Sequence, residues 1–302
     1  MTAPAPRISV IIPALNEAML LPALLEDLQR QQFQDFEVIV ADAGSTDGTV
    51  ELAAAGARVV PGGLPGPGRN RGAAAARGDF LFFLDADVRV PADFVGAAWQ
   101  ELEERYLDLA TCEFQPLSAD PVDRLLHDVV NSAIKVYQFV DPHAPGFCIL
   151  VTRRLFQRVG GFDETLKLAE DHDFVKRASA FRPLRILEKT YIEVSTRRLD
   201  KEGRFGIAKK YMQVELYRLF RGEIRTEVVP YEFGHIEQPQ ETPWLATQIQ
   251  EIKDMAQRLK QRAQALVSRE HTATSDEMAH DQREVDSLLK HMKTRLNQIF
   301  RW

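Results

Sequence analysis

The stretch 76-ARGDFLFFLDADVRVP-91 decides the fold. No polar residue interrupts its apolar run from Phe80 to Leu84. A run of that kind reads as a strand buried on both faces, as in a parallel sheet covered by helices. It ends in Asp85-Ala86-Asp87, two carboxylates two residues apart. Like charges so close repel, and burial makes the repulsion worse. A positive charge is therefore expected between them.

Working outward, strands and helices alternate. Residues 8–12 are a β-branched run closed by Pro13. Leu20, Leu21, Leu24, Leu25 and Leu28 then share one helical face. Residues 36–41 (FEVIVA) form a second strand, 49–57 an Ala-rich helix and 58–60 a third strand. Residues 61–68, PGGLPGPG, read as irregular, and 70–77 as a helix of small residues. This order predicts an α/β fold: a doubly wound, mostly parallel sheet with a Rossmann-like first half. Ligands bind such sheets beyond the carboxyl ends of the strands. Further on, strands are expected at 109–114, 147–152, 186–187 and 191–195. Helices are expected at 122–140, 153–159 and 205–221, the last amphipathic.

Composition shifts after residue 238, where glycine disappears. Thr242-Pro243 is an N-cap with an N1 proline. Leu245, Ile249, Ile252, Ala256, Leu259, Ala263 and Leu266 keep a heptad seam, and a second helix carries Val285 to Ile299. A C-terminal α-helical hairpin over 239–302 is expected. It either packs on the chain, dimerises or contacts a membrane. The remainder, 1–238, reads as one domain with two halves, 7–110 and 111–238.

The chain has 302 residues, 45% hydrophobic and 27% charged, with a net charge of −6. That charge argues against a nucleic-acid partner, which needs clustered Lys and Arg. Cys112 and Cys148 read as small buried hydrophobes of a reducing compartment rather than a disulfide. No window approaches the ~18 apolar residues of a membrane span. A cytoplasmic protein is expected, either free or peripheral at the inner face of the membrane.

Four polar clusters fall at expected strand ends: Pro13-Ala14-Leu15-Asn16-Glu17, Asp42 to Thr49, Gly68-Arg69-Asn70-Arg71-Gly72, and Asp85-Ala86-Asp87. With GGFDE at 160–164 and AEDHDF at 169–174, this series resembles the family 2 glycosyltransferases of the GT-A fold over roughly residues 7–200. The resemblance implies a nucleoside-diphosphate sugar donor (a UDP- or GDP-sugar), an inverting transfer, and Mg²⁺ or Mn²⁺. The chemistry suits that role. Pro13 and Ala14 offer backbone groups to the base, and Asp42 accepts from its imide N–H. Asp47 assists there or caps the helix at Thr49, Glu17 accepts from ribose, and Arg69 reaches base or phosphate. Asn16, Ser45, Gly68, Gly72 and Ala86 complete the expected donor site. Asp85 faces ribose and, with Asp87, supplies oxygen to the metal, which supports the leaving diphosphate.

The resemblance places the base in the acidic motif, where Asp171 is the expected catalytic carboxylate with Glu170 beside it. On a helix Asp171 and Asp173 diverge, so only one shares a pocket with Glu170. A helix N-terminus also favours carboxylates without any catalysis. Arg197, Arg198 and Arg204 suit a phosphate of donor or acceptor, and Gly146, in DPHAPGF with His143, is placed on the same acceptor side. The acceptor is a sugar, another small molecule or a lipid phosphate. Processive family members carry Gln-x-x-Arg-Trp in the region after residue 195. None stands there, which favours single transfers. A nucleotidyltransferase would need a Gly-rich basic loop where PALNE stands. A non-catalytic scaffold with a degenerate transferase domain is the alternative from another class.

Overall fold

The computed structural model describes residues 5–196 apart from 141 and 167. Arg197, Arg198, Arg204 and the helices expected at 205–221 and 239–302 lie outside the described residues. In chain order the elements are β1 (Ile8–Ala14), α1 (Leu21–Gln29), β2 (Phe36–Asp42), α2 (Thr49–Ala54), β3 (Arg58–Pro61), α3 (Pro65–Ala75), β4 (Phe80–Leu84), β5 (Val88–Arg89), α4 (Phe94–Glu104), β6 (Leu109–Pro116), α5 (Pro121–Val140), β7 (Cys148–Thr152), α6 (Arg153–Val159), α7 (Glu170–Ser179) and β8 (Arg185–Val194). The chain divides into two compact units, and α5 belongs to the second, with residues 118–141. Taken by itself, α5 opens on Pro121 and has Asp123 in its first turn, where both suit a helix N-terminus. No described helix is long and apolar enough to cross a membrane.

The eight strands form one sheet in the order β3-β2-β1-β4-β7-β6-β8-β5. Its first half is parallel: β1 pairs with β2 (Ile8↔Phe36) and with β4 (Ile8↔Phe80), and β2 pairs with β3. Ile8, Val10, Ile11 and Ile12 of β1 and Leu81 to Leu84 of β4 are fully buried, which matches strands covered on both faces. The second half is mixed, with β6 parallel to β8 and β5 antiparallel to β8. β7 runs antiparallel to both neighbours, with Leu84 opposite Cys148. This reversal sets the start of β7 beside the end of β4.

Two further expectations are corrected. The 61–68 stretch is not wholly irregular, because α3 already starts at Pro65. Pro65 and Pro67 fall in the first turn, where a missing N–H breaks no helical bond. The glycines of α3 serve close approach to the sheet: a Cβ on Gly72 would lie 2.3 Å from Ile11 Cγ2, and one on Gly68 would lie 3.3 Å from Pro13 Cβ. The two strands expected at 186–187 and 191–195 are one, β8, broken by a bulge. Its partner β6 passes from Cys112↔Leu187 straight to Glu113↔Tyr191. Glu101 of α4, buried to 2% exposure, accepts the N–H groups of Glu188 (3.0 Å) and Lys189 (2.9 Å) there. The carboxylate thus satisfies donors that the ladder leaves unpaired. The helix α4 itself was not expected from the sequence.

The face of the sheet under α3, α6 and α7 holds an aromatic cluster. Phe162 stacks on Phe174 (4.5 Å between ring centres) and meets Phe83 edge-on (5.2 Å), with Phe156 completing the group. Gly72→Ala tests the α3 contact. Helix propensity alone would favour alanine by about 1 kcal/mol. The clash with the stiff, β-branched Ile11 reverses that sign, with overpacking costs of ~1–3 kcal/mol. Urea unfolding is expected to show a lower midpoint with an unchanged slope.

Candidate functional site

Because β1, β2 and β4 are parallel, their following loops gather at one end of the sheet. The first two loops are laced together. Asn16 donates its N–H to Ser45 Oγ (2.8 Å), and its side-chain oxygen accepts the Thr46 N–H (2.9 Å). The Glu17 N–H reaches Thr49 Oγ1 (2.9 Å), and the Ala18 N–H reaches Asp47 (3.0 Å). Asp42, buried at the end of β2, accepts the N–H groups of Gly44 and Ser45 (2.9 Å each) and the Ser45 hydroxyl (2.5 Å). Asp47 accepts the Thr49 N–H (3.1 Å), the capping alternative of its two expected roles. Bonding to Thr49 leads in holding its carboxyl below the ordinary range. Ala14, buried, accepts the Ala43 N–H (2.8 Å), and Pro13 beside it is half-buried. The strand ends Pro13, Ala14 and Asp42 and the loop residues Asn16, Glu17, Ser45 and Asp47 therefore form one preorganised rim. Asn16 occupies the left-handed region (φ 54°) to do so.

The second cluster is built around Arg69. It leaves α3 between Gly68 and Asn70 and is only 3% exposed. Its Nη2 donates to Asp85 Oδ1 (2.8 Å) and to the Gly146 carbonyl (3.2 Å), and its Nη1 donates to Glu170 Oε1 (2.8 Å). The guanidinium lies 5.5 Å from the centre of the Phe162 ring, and its Nε has no partner. Of the charges against Asp85, the structure thus places an arginine first. Ala86 is buried and Asp87 half-buried in the turn that follows β4. The Asp87 carbonyl accepts the Ser195 N–H (3.2 Å).

Gly146 belongs to this cluster because β7 is antiparallel. Its N–H donates to Asp171 Oδ2 (2.6 Å), and Asp171 Oδ1 accepts the His172 N–H (2.8 Å). A Cβ on Gly146 would lie 2.6 Å from Arg69 Nη2 and 2.9 Å from Asp171 Oδ2, so only glycine fits. The expected divergence on α7 is present. Glu170 and Asp171 face Arg69, while Asp173 pairs with Arg177 one turn on (2.7 Å). His172 stacks on His143 with ring centres 4.7 Å apart. Entry to α7 is through Ala169 in the left-handed region (φ 59°), a strained conformation for a residue with a Cβ. Gly68 and Gly72 serve packing on β1, as described above.

One cation faces three carboxylates here, and the neighbours respond in opposite directions. Burial pushes the Glu170 carboxyl up, the adjacent Asp171 charge adds to that, and Arg69 offsets only part. Burial also works against Asp171, but His172, Arg69 and the two N–H donors outweigh it and hold its carboxyl below the ordinary range. For Arg69, burial opposes the charge, and Asp85, Glu170 and Asp171 outweigh it.

Two residues of the cluster stand inside the quoted motifs without an expected role: Phe162 in GGFDE and Asn70 beside Arg69. Neither carries a local signal, since what they touch is set by long-range packing. The expected absence of Gln-x-x-Arg-Trp also needs correction. That spelling occurs at Gln298-Ile299-Phe300-Arg301-Trp302, far beyond the region after residue 195 and outside the described residues.

Laced loops and an acidic turn at the carboxyl ends of parallel strands place the candidate site where open α/β sheets bind their ligands. Comparison with known proteins gives the family. The family described as "Glycosyl transferase family 2" matches residues 9–160, and the chain belongs to that family. It is 31% identical over 197 residues to the uncharacterized glycosyltransferase EpsJ of Bacillus subtilis (strain 168), a match covering 59% of this chain and 56% of that protein. The chain thus spans about half the length of that relative. Among solved structures it resembles the mannosyltransferase PcManGT from Pyrobaculum calidifontis in complex with GDP-Man and Mn²⁺. The TM-score is 0.56 at 19% identity, covering 97% of this chain and 85% of that one. It also resembles S. aureus TarS 1-349 in complex with UDP-GlcNAc, with a TM-score of 0.52 at 20% identity, covering 97% and 82%. The fold is GT-A.

The opposite shifts of Glu170 and Asp171 give opposite expectations. A carboxyl held low in the folded state contributes stability above its unfolded pKa, lost as pH falls through the folded value. Asp171→Asn is therefore expected to lower the melting temperature at pH 7. A carboxyl held high costs stability once ionised, and the cost vanishes below the unfolded value, ordinarily 4.5. Glu170→Gln is expected to raise the melting temperature at pH 7. Both differences should shrink toward acid pH in a thermal-denaturation series.

Proposed function

We propose that the chain transfers a sugar from a UDP- or GDP-sugar to an acceptor hydroxyl or lipid phosphate, with inversion at the sugar carbon. The observation that carries the reading is the Arg69 bridge, which ties the turn after β4 to the start of α7. A diphosphate at the first and an acceptor at the second would then lie against one another. The laced loops after β1 and β2 are the part suited to base and ribose, with Pro13, Ala14, Asn16, Glu17, Asp42 and Ser45 at the rim. Names of the structural relatives, with GDP-Man or UDP-GlcNAc bound, support a nucleotide-sugar donor.

Asp171 is the group that takes the acceptor proton. Its carboxylate stays ionised through the neutral range for the reasons given above, and the Gly146 N–H fixes its orientation. As that proton leaves, the acceptor oxygen bonds to the sugar carbon, and the bond from that carbon to the diphosphate breaks. Glu170 and Arg69 hold the charge balance behind Asp171. Asp87, with the second oxygen of Asp85, fits a hard cation that takes one or two carboxylates plus substrate phosphates. Bound Mg²⁺ or Mn²⁺ would supply charge stabilisation to the leaving diphosphate. The Mn²⁺ in PcManGT supports that assignment. Single transfer is the favoured mode, and a ladder of products would assign Gln298 to Trp302 a processive role.

Thermal unfolding with UDP- and GDP-sugars, with and without Mn²⁺, tests the donor site. A ligand at ~100 times its dissociation constant should stabilise the fold by ~2.7 kcal/mol. Asp87→Ala is expected to abolish the Mn²⁺-dependent part of the shift. Asp171→Asn is expected to keep the shift and to lower kcat by ~10²–10⁴-fold, the range for general-base catalysis. No shift with any nucleotide sugar, or an Asp171→Asn enzyme of undiminished turnover, would overturn the reading.

A further inference from the structure

Asn70 stands next to Arg69 on α3, and its carboxamide is spent entirely on one loop. Its Oδ1 accepts the Phe162 N–H (2.9 Å), and its Nδ2 donates to the Phe162 carbonyl (2.9 Å) and to Glu164 Oε1 (2.9 Å). A planar group with a donor beside an acceptor pairs with both backbone groups of one residue, as a neighbouring strand would. Both amide protons are used, so Asn70 has none left to offer a donor or an acceptor substrate.

The loop needs such a clamp. Gly160 and Gly161 both lie in the left-handed region (φ 84° and 75°). Two glycines in succession leave the path of the chain loosely defined. From the other side, Arg177 of α7 holds the carbonyls of Val159 (3.1 Å) and Gly161 (2.9 Å), and is itself oriented by Asp173 (2.8 Å). The fit on the Asn70 side is close, since a Cβ on Gly161 would come 2.6 Å from Asn70 Oδ1. What the clamp fixes is the Phe162 ring. It is 2% exposed, stacked on Phe174 one turn after Glu170, and lies under the Arg69 guanidinium.

We infer that Asn70 is a positioning residue: by clamping Phe162 it seats the ring that backs the Arg69–Glu170 pair and the start of α7, and so holds Asp171 in its working geometry. This rests on the proposed role of Asp171. Asn70 touches none of the reacting groups, so its effect should fall on the chemical step and spare the binding of the nucleotide.

Asn70→Asp keeps the shape and the acceptor for the Phe162 N–H, but sets a carboxylate against the Phe162 carbonyl and Glu164. A misplacement of ~1 Å can cost ~10²-fold in rate. The expected result is a kcat lowered 10- to 100-fold, with donor KM within about twofold and faster hydrogen exchange at the Phe162 amide. Adding Glu164→Gln to Asn70→Asp restores a donor opposite the new carboxylate and is expected to recover part of kcat. Should Asn70→Asp fold poorly, Asn70→Ser, which loses the paired bonds without adding charge, carries the same measurements. Unchanged protection of the Phe162 amide overturns the clamp whatever turnover does. Lost protection with kcat intact, or a fall in kcat matched by an equal loss of donor affinity, overturns the positioning role. If the wild-type chain transfers sugar from none of the nucleotide sugars, the functional reading fails, and amide exchange at Phe162 still decides the clamp.

Discussion

Arg69 is the constraint around which the site is built. A guanidinium at 3% exposure is costly unless its charge is balanced. Two carboxylates and a carbonyl come to it from three places in the chain, the turn after β4, the loop before β7 and the start of α7, and the Asp171 charge stands nearby. Lysine would not serve. The planar fork reaches Asp85 and Glu170 from different nitrogens at once, and its flat face lies against Phe162. Removing the arginine would leave buried carboxylates facing one another, so the segments that carry them would have no reason to converge.

Two features of the fold make that convergence possible. The first is glycine in α3, which lets the helix lie directly on β1 and brings Arg69 over the sheet rather than above it. The second is the reversal at β7. In a wholly parallel sheet the segment before a strand lies at the end away from the site. Running β7 antiparallel brings Gly146 to the carboxyl end of β4, where its N–H and carbonyl meet Asp171 and Arg69. Gly146 thus connects the two charged partners through its backbone alone, which is why any side chain there would collide with both.

How far the sequence reveals this depends on whether the signal is local. The buried character of 80–84, the helix face of Leu21, Leu24, Leu25 and Leu28, and the turn chemistry around Asp42 and Asp47 are local, and each was legible. The antiparallel β7 was not. Its five residues carry the same apolar pattern in either direction, and direction is fixed by pairing with distant strands. Prolines at 65 and 67 read as breakers because their tolerance depends on lying in a first turn. The bulge in β8 read as a gap between two strands because the buried acid that fills it, Glu101, comes from a helix far back in the chain. The acidic motif was legible as a motif. Which of its carboxylates would be raised and which lowered was not, since that depends on which one receives the N–H groups.

Glu170 and Asp171 share a helix turn, a degree of burial and a cation, yet differ in what hydrogen bonds they receive. Asp171 accepts two backbone N–H groups, from Gly146 and His172, and the charges of His172 and Arg69 act on it. Glu170 has the Arg69 bond and a like charge at its side. The pair is therefore polarised: one carboxylate is kept charged, and the other absorbs the electrostatic excess of the cluster. Arg69 couples the α7 terminus to the turn after β4 through its two ion pairs, with Glu170 and Asp85. The same coupling explains why the ring under that side chain must be fixed. A guanidinium that shifted toward either turn would strengthen one contact at the expense of the other, and the rigid aromatic cluster behind it holds the balance between them.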